Sequence, residues 1–403
     1  MKIRSKEKDG KLYRKQKQLY LKGAYGPGNL GDDVLLLVMI SILQEVVSAE
    51  DISIGVSKPQ LAKKLGERIN WLPLDAPADV DVLIYGGGGQ FFSFPETSSF
   101  KTKAVSRAGR AISILKGRFP LKQELLRQFY KIRSGNKIGI VAKNVGIYCV
   151  GVGPFEGGRA EERYARAVFN RADFVSVRDK RSFKLAQGFT KTKVFLESDL
   201  SLLLSRWAHG AGLAARNCVE GKKVGIIVRR WPHDECGKRA LRVLKEAARA
   251  LELQGVGVEF ISFYREYDKA IIEEDGGRYG WRLWVPGTQH PREFLEDIAN
   301  NCFLVISMRA HGMILPALFG VPSIGVAIEP KIRDIKNMFP NGTELFDPGQ
   351  TANELVALVS SMKANLNNYK KSLEMEVARE TEKIDVERFI SWLIKAIGCN
   401  DVG

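Results

Sequence analysis

Short apolar runs alternate with amphipathic helical patterns along most of this chain. Five of the apolar runs are residues 19–23, 52–56, 82–85, 224–228 and 303–306. The helical patterns between such runs include residues 33–47 and 235–253. This alternation is typical of βα units, which form parallel sheets with helices on both faces. A chain of 403 residues is too long for one ordinary core and suits two such domains. We therefore expect an α/β protein with two doubly wound, Rossmann-like domains facing a cleft.

One stretch, residues 205–223, shows neither a helical nor a strand pattern of apolar residues and is rich in Ala, Gly and Arg. We interpret it as the linker between an N-terminal domain at 1–205 and a C-terminal domain at 220–380. The remaining residues, 381–403, predict a helix that packs back across the cleft.

The composition is that of an ordinary globular protein, with 45% hydrophobic and 27% charged residues. It excludes a disordered chain, a collagen-like repeat and a small disulfide scaffold. No apolar run reaches the roughly 18 residues of a membrane span, and the N-terminus lacks the hydrophobic segment of a secretory signal. The five cysteines form no CxxC pair, which favours free thiols in a reducing compartment. We therefore expect a cytoplasmic protein.

The net charge of +16 is concentrated in two segments. Residues 1–22 contain nine Lys or Arg and two acidic residues. Residues 101–143 contain twelve Lys or Arg and one acidic residue. The second segment, an insertion in the N-terminal domain, interleaves apolar residues with its cations, as amphipathic elements that bind anionic membranes do. A helical hairpin with a solvated basic face explains the pattern equally well. Nucleic acid is a less favoured partner, because the segment has no zinc-finger spacing and no aromatic RNA-binding signature.

Two glycine-rich loops follow predicted strands of the N-terminal domain, where ligands of parallel sheets bind. GAYGPGNLGDD, at 23–33, leads into a helix N-terminus that favours an anion. It is neither GxGxxG nor a P-loop with its lysine, so a nucleotide is weakly supported. The glycines at 86–89 let the backbone approach a ligand or the other domain closely. The candidate residues of both loops are Asn29, Gly31, Asp32, Asp33, Gly87, Gly88 and Gly89. Helix capping and turn formation are the structural alternatives for Asp32 and Asn29.

The richest polar cluster follows two predicted strands of the C-terminal domain. Arg309 and His311 follow the strand that ends at Ser307, and Glu329 and Lys331 follow the next one. Histidine titrates near neutrality and suits proton transfer, and arginine matches carboxylate and phosphate by bidentate hydrogen bonds. A capping histidine and a surface ion pair are the structural alternatives, but the sheet position favours a functional site.

Two further arginines end predicted strands. Arg229 ends the first strand of the C-terminal domain at the level of Arg309, and a salt bridge to the linker is its structural alternative. Arg178 follows a strand of the N-terminal domain, with Asp179 as an alternative partner. The four histidines show no ligand spacing, so we expect no metal.

Taken in order, these motifs resemble those of the polysaccharide pyruvyl transferase family. The matching segments are GAYGPGNLGDD, DVLIYGGGG, VGVGP, DFVSVRDKRS, ESDLSLLL, VGIIVRRW, SMRAHGMILPALFGVPSIGV and EPK. They span residues 23 to about 335, over three quarters of the chain. The family usually has leucine where this chain has Ala310, and an aromatic residue where it has Glu329.

The resemblance implies the two-domain fold of B-type glycosyltransferases. It also implies transfer of pyruvate from phosphoenolpyruvate to a sugar as a cyclic ketal, with release of phosphate. Acceptors of the family are units of cell-surface polysaccharides, often on a lipid carrier at the inner face of the cytoplasmic membrane. The basic segment 101–143 would then attach the enzyme to that surface. Phosphoenolpyruvate is a co-substrate, and no cofactor is expected.

Roles follow from this chemistry as hypotheses. His311 protonates carbon 3 of the donor, and Asp32 or Asp33 orients or deprotonates the sugar hydroxyl. Glu329 contributes to acceptor specificity. The expected donor ligands are Arg178, Arg229, Arg309 and Lys331. Two other functions stay open: a nucleotide-sugar glycosyltransferase of the same fold, and a non-catalytic protein that binds a membrane surface or a polyanion.

Overall fold

The computed structural model describes residues 18–26, 28–65, 68–74, 76–94, 139–208 and 223–398. Most of the two basic segments and of the predicted linker lie outside these residues. The prediction that residues 101–143 bind a membrane therefore stays a prediction. At the described end of that segment, Lys143 pairs with Asp81 at 2.6 Å.

The N-terminal half contains an entirely parallel sheet built from buried apolar segments. Its order is β3-β2-β1-β4-β6-β7-β8, and β5 pairs with β6. The strands are β1 (Leu19–Lys22), β2 (Ile52–Val56), β3 (Asn70–Pro73), β4 (Ala78–Gly86), β5 (Gly89–Ser93), β6 (Ile140–Phe155), β7 (Phe174–Val177) and β8 (Val194–Leu196). Its helices are α1 (Leu30–Leu43), α2 (Pro59–Ala62), α3 (Arg159–Arg171), α4 (Lys180–Gln187) and α5 (Leu204–Trp207). Short 3-10 turns cover Ala49–Asp51, Lys63–Leu65 and Leu200–Leu202.

The C-terminal half contains a second parallel sheet, in the order β11-β10-β9-β12-β13-β14. The strands are β9 (Lys223–Ile227), β10 (Gly257–Ser262), β11 (Trp281–Leu283), β12 (Cys302–Ser307), β13 (Ser323–Val326) and β14 (Thr343–Phe346). The helices are α6 (Glu235–Leu253), α7 (Arg265–Asp275), α8 (Pro291–Asn301), α9 (His311–Ala317), α10 (Pro330–Met338), α11 (Ala352–Ala364), α12 (Leu366–Thr381) and α13 (Val386–Ala396). The two parallel sheets confirm the predicted α/β class.

The last helix, α13, packs against the N-terminal half. The ring of Phe389 stacks on Tyr148, with centroids 4.0 Å apart, and Asn144 Nδ2 donates a hydrogen bond to the Ala396 carbonyl at 2.8 Å. One hydrophobic cluster contains residues of both sheets, so burial of apolar area stabilises the halves together. Within the described ranges, no helix combines the length and the apolar character needed to cross a bilayer.

The loop before α1 is where the halves meet at the carboxyl ends of their strands. The backbone N–H of Leu30 donates a hydrogen bond to the Phe263 carbonyl, just after β10, at 2.9 Å. Helix α1 is almost wholly buried, because the sheet covers one side and elements of the C-terminal half lie against it. The first turn of α1 therefore faces the loops that follow β12 and β13.

Candidate active site

His311 is the first residue of α9 and lies against Gly31 in the first turn of α1. A Cβ built on Gly31 would lie only 2.1 Å from Nδ1 of the His311 ring. Any side chain at position 31 would displace the imidazole. The glycine therefore allows a histidine of one half to contact the backbone of the other, and the His311 side chain keeps 14% of its surface exposed.

The other ring nitrogen of His311 faces a carboxylate. Nε2 lies 3.6 Å from Oδ1 of Asp199, in the loop after β8. That oxygen accepts hydrogen bonds from the N–H of Ser201 at 3.0 Å and from its hydroxyl at 2.7 Å. The second oxygen accepts from Nη1 of Arg178 at 2.5 Å. Burial raises the pKa of Asp199, but the charges of Arg178 and His311 outweigh it and hold the pKa well below its usual range. Asp199 is therefore a carboxylate at neutral pH.

Arg178 is buried between this carboxylate and the backbone of β6. A Cβ on Gly151 would lie 3.1 Å from its Nε, so a glycine again makes room. Asp179, the alternative partner considered from the sequence, lies farther away, at 3.9 Å from Nε. Arg178 is thus held mainly by Asp199, and its role as a donor ligand stays a prediction.

Asp32 joins both glycine loops to the site. Its Oδ2 accepts a hydrogen bond from Nδ2 of Asn29 at 2.6 Å, and a Cβ on Gly88 would lie 3.7 Å from its Oδ1. Burial raises the pKa of Asp32, against the opposing charges of His311 and Lys331. A carboxylate with a raised pKa, beside two basic groups, suits proton transfer.

Asp33, its neighbour, is committed to the contact between the halves. Its Oδ2 accepts hydrogen bonds from the indole N–H of Trp284 at 2.8 Å and from the N–H of Gly28 at 3.1 Å. Burial raises the pKa of Asp33 to about 7, although both hydrogen bonds lower it. Of the two predicted acids, Asp32 is thus the one beside the imidazole, and a catalytic role for either stays a prediction.

The glycines of the second loop line the site beside Asp32 and Lys331. Gly87 and Gly88 adopt φ of 62° and 71°, the left-handed conformation that favours glycine. The Gly87 N–H donates to the Tyr148 carbonyl at 3.0 Å, and the Gly88 carbonyl accepts from the N–H of Gly151 at 2.8 Å. This turn brings Gly89 so close to Lys331 that a Cβ would lie 2.6 Å from its Nζ.

Lys331, in the first turn of α10, has no ion-pair partner among the described residues. Its ammonium lies 4.2 Å from the centroid of the Phe92 ring. Burial lowers the pKa of Lys331 to about 8, against the attraction of Glu329. At neutral pH it is a cation without a bound carboxylate, which is what an anionic ligand requires.

Arg229 and Glu329 form an ion pair between the ends of β9 and β13. The guanidinium also lies over the ring of Trp231, 4.7 Å from its centroid. Burial raises the pKa of Glu329, but the positive charges of Arg229 and Lys331 lower it by more than burial raises it. The net shift of the pKa is therefore downward. Its Oε2 is buried without a hydrogen-bond partner in the described part of the chain. Glu329 therefore fixes Arg229 and retains one free acceptor oxygen.

Arg309 differs from the other cations, because it lies in a buried ion pair. Its Nη2 contacts both carboxylate oxygens of Asp268 at 2.8 Å, and its Nε donates to the Val228 carbonyl at 2.9 Å. Asp268 also accepts from the Ser262 hydroxyl and the Arg230 N–H. Burial lowers the pKa of Arg309, and Asp268 opposes that shift. The pair holds together the loops after β9 and β12, and donor binding by Arg309 stays a prediction.

The cluster combines an imidazole with fixed positive and negative charges. Most of its members follow strands, and the candidates chosen from the sequence did not include Asp199 or Asp268. Asp199 stands at the cap of a 3-10 turn after β8, and an acid just beyond a strand was the available signal. Among the described residues, no three His, Cys, Asp or Glu side chains form a metal-binding group. The arrangement can bind a small polyanion and move a proton beside it.

Solved structures share this architecture at low sequence identity. A putative UDP-N-acetylglucosamine 2-epimerase from Listeria monocytogenes aligns with a TM-score of 0.53 and 13% identity, over 96% of this chain and 98% of its own. The UDP-GlcNAc 2-epimerase of Methanocaldococcus jannaschii aligns with a TM-score of 0.54 and 13% identity, over 94% of this chain and 99% of its own. HepE of Anabaena, solved with UDP-glucose, aligns with a TM-score of 0.52 and 13% identity, over 95% of this chain and 100% of its own. At this identity the likeness shows the fold alone, and it confirms the two-domain, Rossmann-like fold of the B-type glycosyltransferase kind.

No curated protein matches this sequence. The model of the family described as polysaccharide pyruvyl transferase matches residues 29–330, about three quarters of the chain. That range begins at Asn29 and contains Gly31, Asp199 and His311. The chain is therefore a transferase that belongs to the polysaccharide pyruvyl transferase family.

Proposed function

We propose that this protein transfers pyruvate from phosphoenolpyruvate to two hydroxyls of a sugar, forming a cyclic ketal and releasing phosphate. The observation that carries the proposal is the position of His311, which lies between Asp199 and Gly31 where both halves meet. Cations and a carboxylate surround the same position. A donor with a phosphate and a carboxylate needs such cations, and its carbon 3 needs an acid.

The four predicted donor ligands are available to different degrees. Lys331 has no ion-pair partner in the described residues, whereas Arg229 pairs with Glu329 and Arg309 with Asp268. Arg178 pairs with Asp199 and, at 3.9 Å, with Asp179. Lys331 also lies in the first turn of α10, where the helix dipole adds positive potential. We therefore assign Lys331 the largest share in donor affinity. Arginine adds the planar geometry that suits a phosphate or carboxylate.

The proton comes from His311 in this proposal. Asp199 lies beside Nε2 and Gly31 packs against the Nδ1 side of the ring, so these two residues fix the orientation of the imidazole. Transfer of that proton to carbon 3 forms a C–H bond and makes carbon 2 electrophilic. One sugar hydroxyl then attacks carbon 2 and gives up its proton, for which Asp32 is the nearby carboxylate with a raised pKa.

The second half of the reaction releases the phosphate. The bond between carbon 2 and the phosphate oxygen breaks, and phosphate leaves with the electron pair. The second hydroxyl attacks carbon 2, its proton ends on phosphate, and the ring of the ketal closes. The proton that Asp32 took from the first hydroxyl then passes to His311 and replaces the one it gave, so both residues return to their starting states.

The acceptor is a sugar of a cell-surface polysaccharide or of its lipid-linked precursor, and the protein works at the cytoplasmic face of the membrane. Support for this part is the family membership and the basic segment 101–143. No cofactor or metal takes part in this proposal.

The decisive experiment measures phosphate released from phosphoenolpyruvate with a panel of free and lipid-linked glycans, and mass spectrometry identifies the pyruvylated product. His311→Ala should lower turnover by roughly 10²- to 10⁴-fold, with an unchanged circular dichroism spectrum. His290→Asn is the matched control, because His290 caps α8 through Nδ1 and asparagine also caps helices well.

Other outcomes separate the alternatives. Glycosyl transfer from UDP-glucose without any phosphoenolpyruvate reaction would support the glycosyltransferase. Salt-sensitive binding to anionic liposomes or polyanions, without phosphate release from any acceptor, would support the non-catalytic protein. Wild-type turnover in His311→Ala would remove the imidazole from the mechanism.

A further inference from the structure

Four aromatic side chains beside the candidate active site have no part in the chemistry proposed above. We call Phe92, Phe94, Trp231 and His233 the aromatic wall. Phe92 lies in β5 and Phe94 follows it, whereas Trp231 and His233 follow β9. The wall thus contains side chains from both halves.

The rings of the wall are in mutual contact. The centroid of Phe94 lies 5.4 Å from that of Phe92, 5.0 Å from Trp231 and 4.8 Å from His233. Trp231 and His233 are 4.6 Å apart. Trp231 is buried, but the other three rings remain partly exposed. The three partly exposed rings therefore leave apolar surface that a ligand can contact.

Two cations connect the wall to the site. Lys331 lies over the ring of Phe92, and Arg229 lies over that of Trp231. These are two of the cations that the proposed function assigns to the donor. A ligand held by Lys331 and Arg229 therefore lies next to the wall, and a second substrate that reacts with it must lie within bonding distance of the same place.

A sugar fits such a surface. One face of a pyranose presents C–H groups to an aromatic ring, while its hydroxyls stay at the edge for polar partners, and binding sites commonly combine aromatic walls with a few polar groups. We propose that the aromatic wall binds a pyranose ring of the acceptor and directs its hydroxyls towards the donor at Lys331 and Arg229. This inference rests on the proposed function, because that function makes the acceptor a sugar.

A second surface competes for the same ligand. A cavity of about 670 Å³ lies between the halves, lined by residues of the segments 154–156, 180–185 and 330–337. Its lining includes the ring of Phe155 and the cations Lys180, Arg181 and Lys184. Arg181 is already paired with Asp334 at 2.9 Å. The wall is favoured because its rings contact the site cations directly, and Phe155 offers a matched aromatic control.

The test compares Phe94→Leu with Phe155→Leu, since leucine keeps the apolar character and removes the ring. The probes are methyl glucopyranoside, methyl galactopyranoside and methyl mannopyranoside, measured by saturation-transfer NMR with the full-length protein. We expect transfer from the wild type to at least one of them, and affinity weakened roughly 3- to 10-fold in Phe94→Leu, the size of one aromatic contact. Phe155→Leu should match the wild type. His233→Ala is a second variant in case Phe94→Leu folds poorly, which circular dichroism reports.

Phosphoenolpyruvate binding, followed by thermal shift, separates this inference from the proposed function. Phe94→Leu should leave that shift unchanged, because the rings beneath Lys331 and Arg229 are those of Phe92 and Trp231. Weakening by Phe155→Leu instead, equal weakening of donor and sugar in Phe94→Leu, or no transfer to any sugar would each overturn the aromatic wall as the acceptor site. A wild type that binds a sugar at the wall but never releases phosphate from phosphoenolpyruvate would overturn the proposed function alone.

Discussion

The indole N–H of Trp284 donates a hydrogen bond of 2.8 Å to Oδ2 of Asp33, a residue 251 positions earlier in the chain. Trp284 follows β11 in the C-terminal half, and Asp33 lies in the first turn of α1 in the N-terminal half. Both side chains are buried. The same carboxylate accepts the N–H of Gly28, so one group holds the glycine loop and joins the two halves.

This contact makes stability depend on pH. The pKa of Asp33 is raised from 3.8 to about 7, so the folded state binds more protons than the unfolded chain between these values. The contribution of Asp33 to stability therefore falls as pH rises from about 4 to 7 and is level above that. Trp284→Phe removes a hydrogen bond that lowers this pKa, so the fall should extend to higher pH.

We expect Trp284→Phe to lower the free energy of unfolding more at pH 8 than at pH 5. The difference should be of the order of 1 kcal/mol, because a hydrogen bond to a charged group contributes about 1.5–3 kcal/mol and one to a neutral group about 0.5–1.5. Urea unfolding at both pH values measures it. In the Asp33→Asn background the cost should not vary with pH, and a pH-independent cost in the wild type would contradict the assignment.

Gly31→Ala tests the contact between the halves at the imidazole. The added Cβ would lie 2.1 Å from Nδ1 of His311, so the ring must move. We expect turnover to fall by roughly 10²-fold, the effect of a displacement of about 1 Å in a catalytic group. Gly280→Ala is the control, since no atom lies within 4 Å of its Cβ. Wild-type turnover in Gly31→Ala would show that His311 does not act from this position.

The sequence predicted the places of several site residues because carboxyl ends of parallel strands share one edge of a sheet. Arg178, Arg229, His311 and Lys331 all follow strands, as the apolar runs indicated. Helix α1 begins at Leu30, three residues before the predicted start. Gly31 is consequently a helical residue against His311, which loop patterning does not reveal.

Other relationships depend on tertiary contacts that no local pattern contains. Asp32 and Asp33 are chemically alike in sequence, but successive residues of a helix point about 100° apart. One therefore faces the imidazole and the other faces Trp284. Arg309 and Asp268 lie 41 residues apart on different elements, so the sequence identified the guanidinium as a strand-end cation but not its partner.

Lys331 should make donor binding sensitive to alkaline pH. Its pKa is lowered from 10.5 to about 8, so the ammonium loses its charge as pH rises through 8. We expect the Kd for phosphoenolpyruvate to increase by about tenfold between pH 7 and 9, measured by calorimetry. Lys331→Arg should remove this dependence, because arginine stays charged. Lys336→Arg, in the same helix but with its ammonium paired with Glu344 at 3.1 Å, should retain it.

The same shift has an opposite effect on stability. The folded state disfavours the charged lysine, so the unfolded chain binds more protons between pH 8 and 10.5, and stability from this group rises with pH in that window. Both effects would be seen together if the protein bound the donor more weakly at pH 9 than at pH 7 while its free energy of unfolding did not fall. Tighter donor binding at pH 9 would contradict the assignment of Lys331.

Replacing both partners of the Arg309–Asp268 ion pair separates the structural role of Arg309 from its predicted role in donor binding. Removing one partner of a buried pair leaves an uncompensated charge, which costs about 3–5 kcal/mol, so we expect Arg309→Met to lower the free energy of unfolding by that amount. The double variant Arg309→Met with Asp268→Asn removes both charges, and it should recover part of the stability. The asparagine oxygen keeps an acceptor for the Arg230 N–H, and its amide N–H can donate to the Ser262 hydroxyl. Arg309 is a predicted donor ligand as well as the partner of Asp268 at 2.8 Å, so we expect the stably folded double variant to raise the KM for phosphoenolpyruvate. A wild-type KM in that variant would show instead that the guanidinium serves only the ion pair.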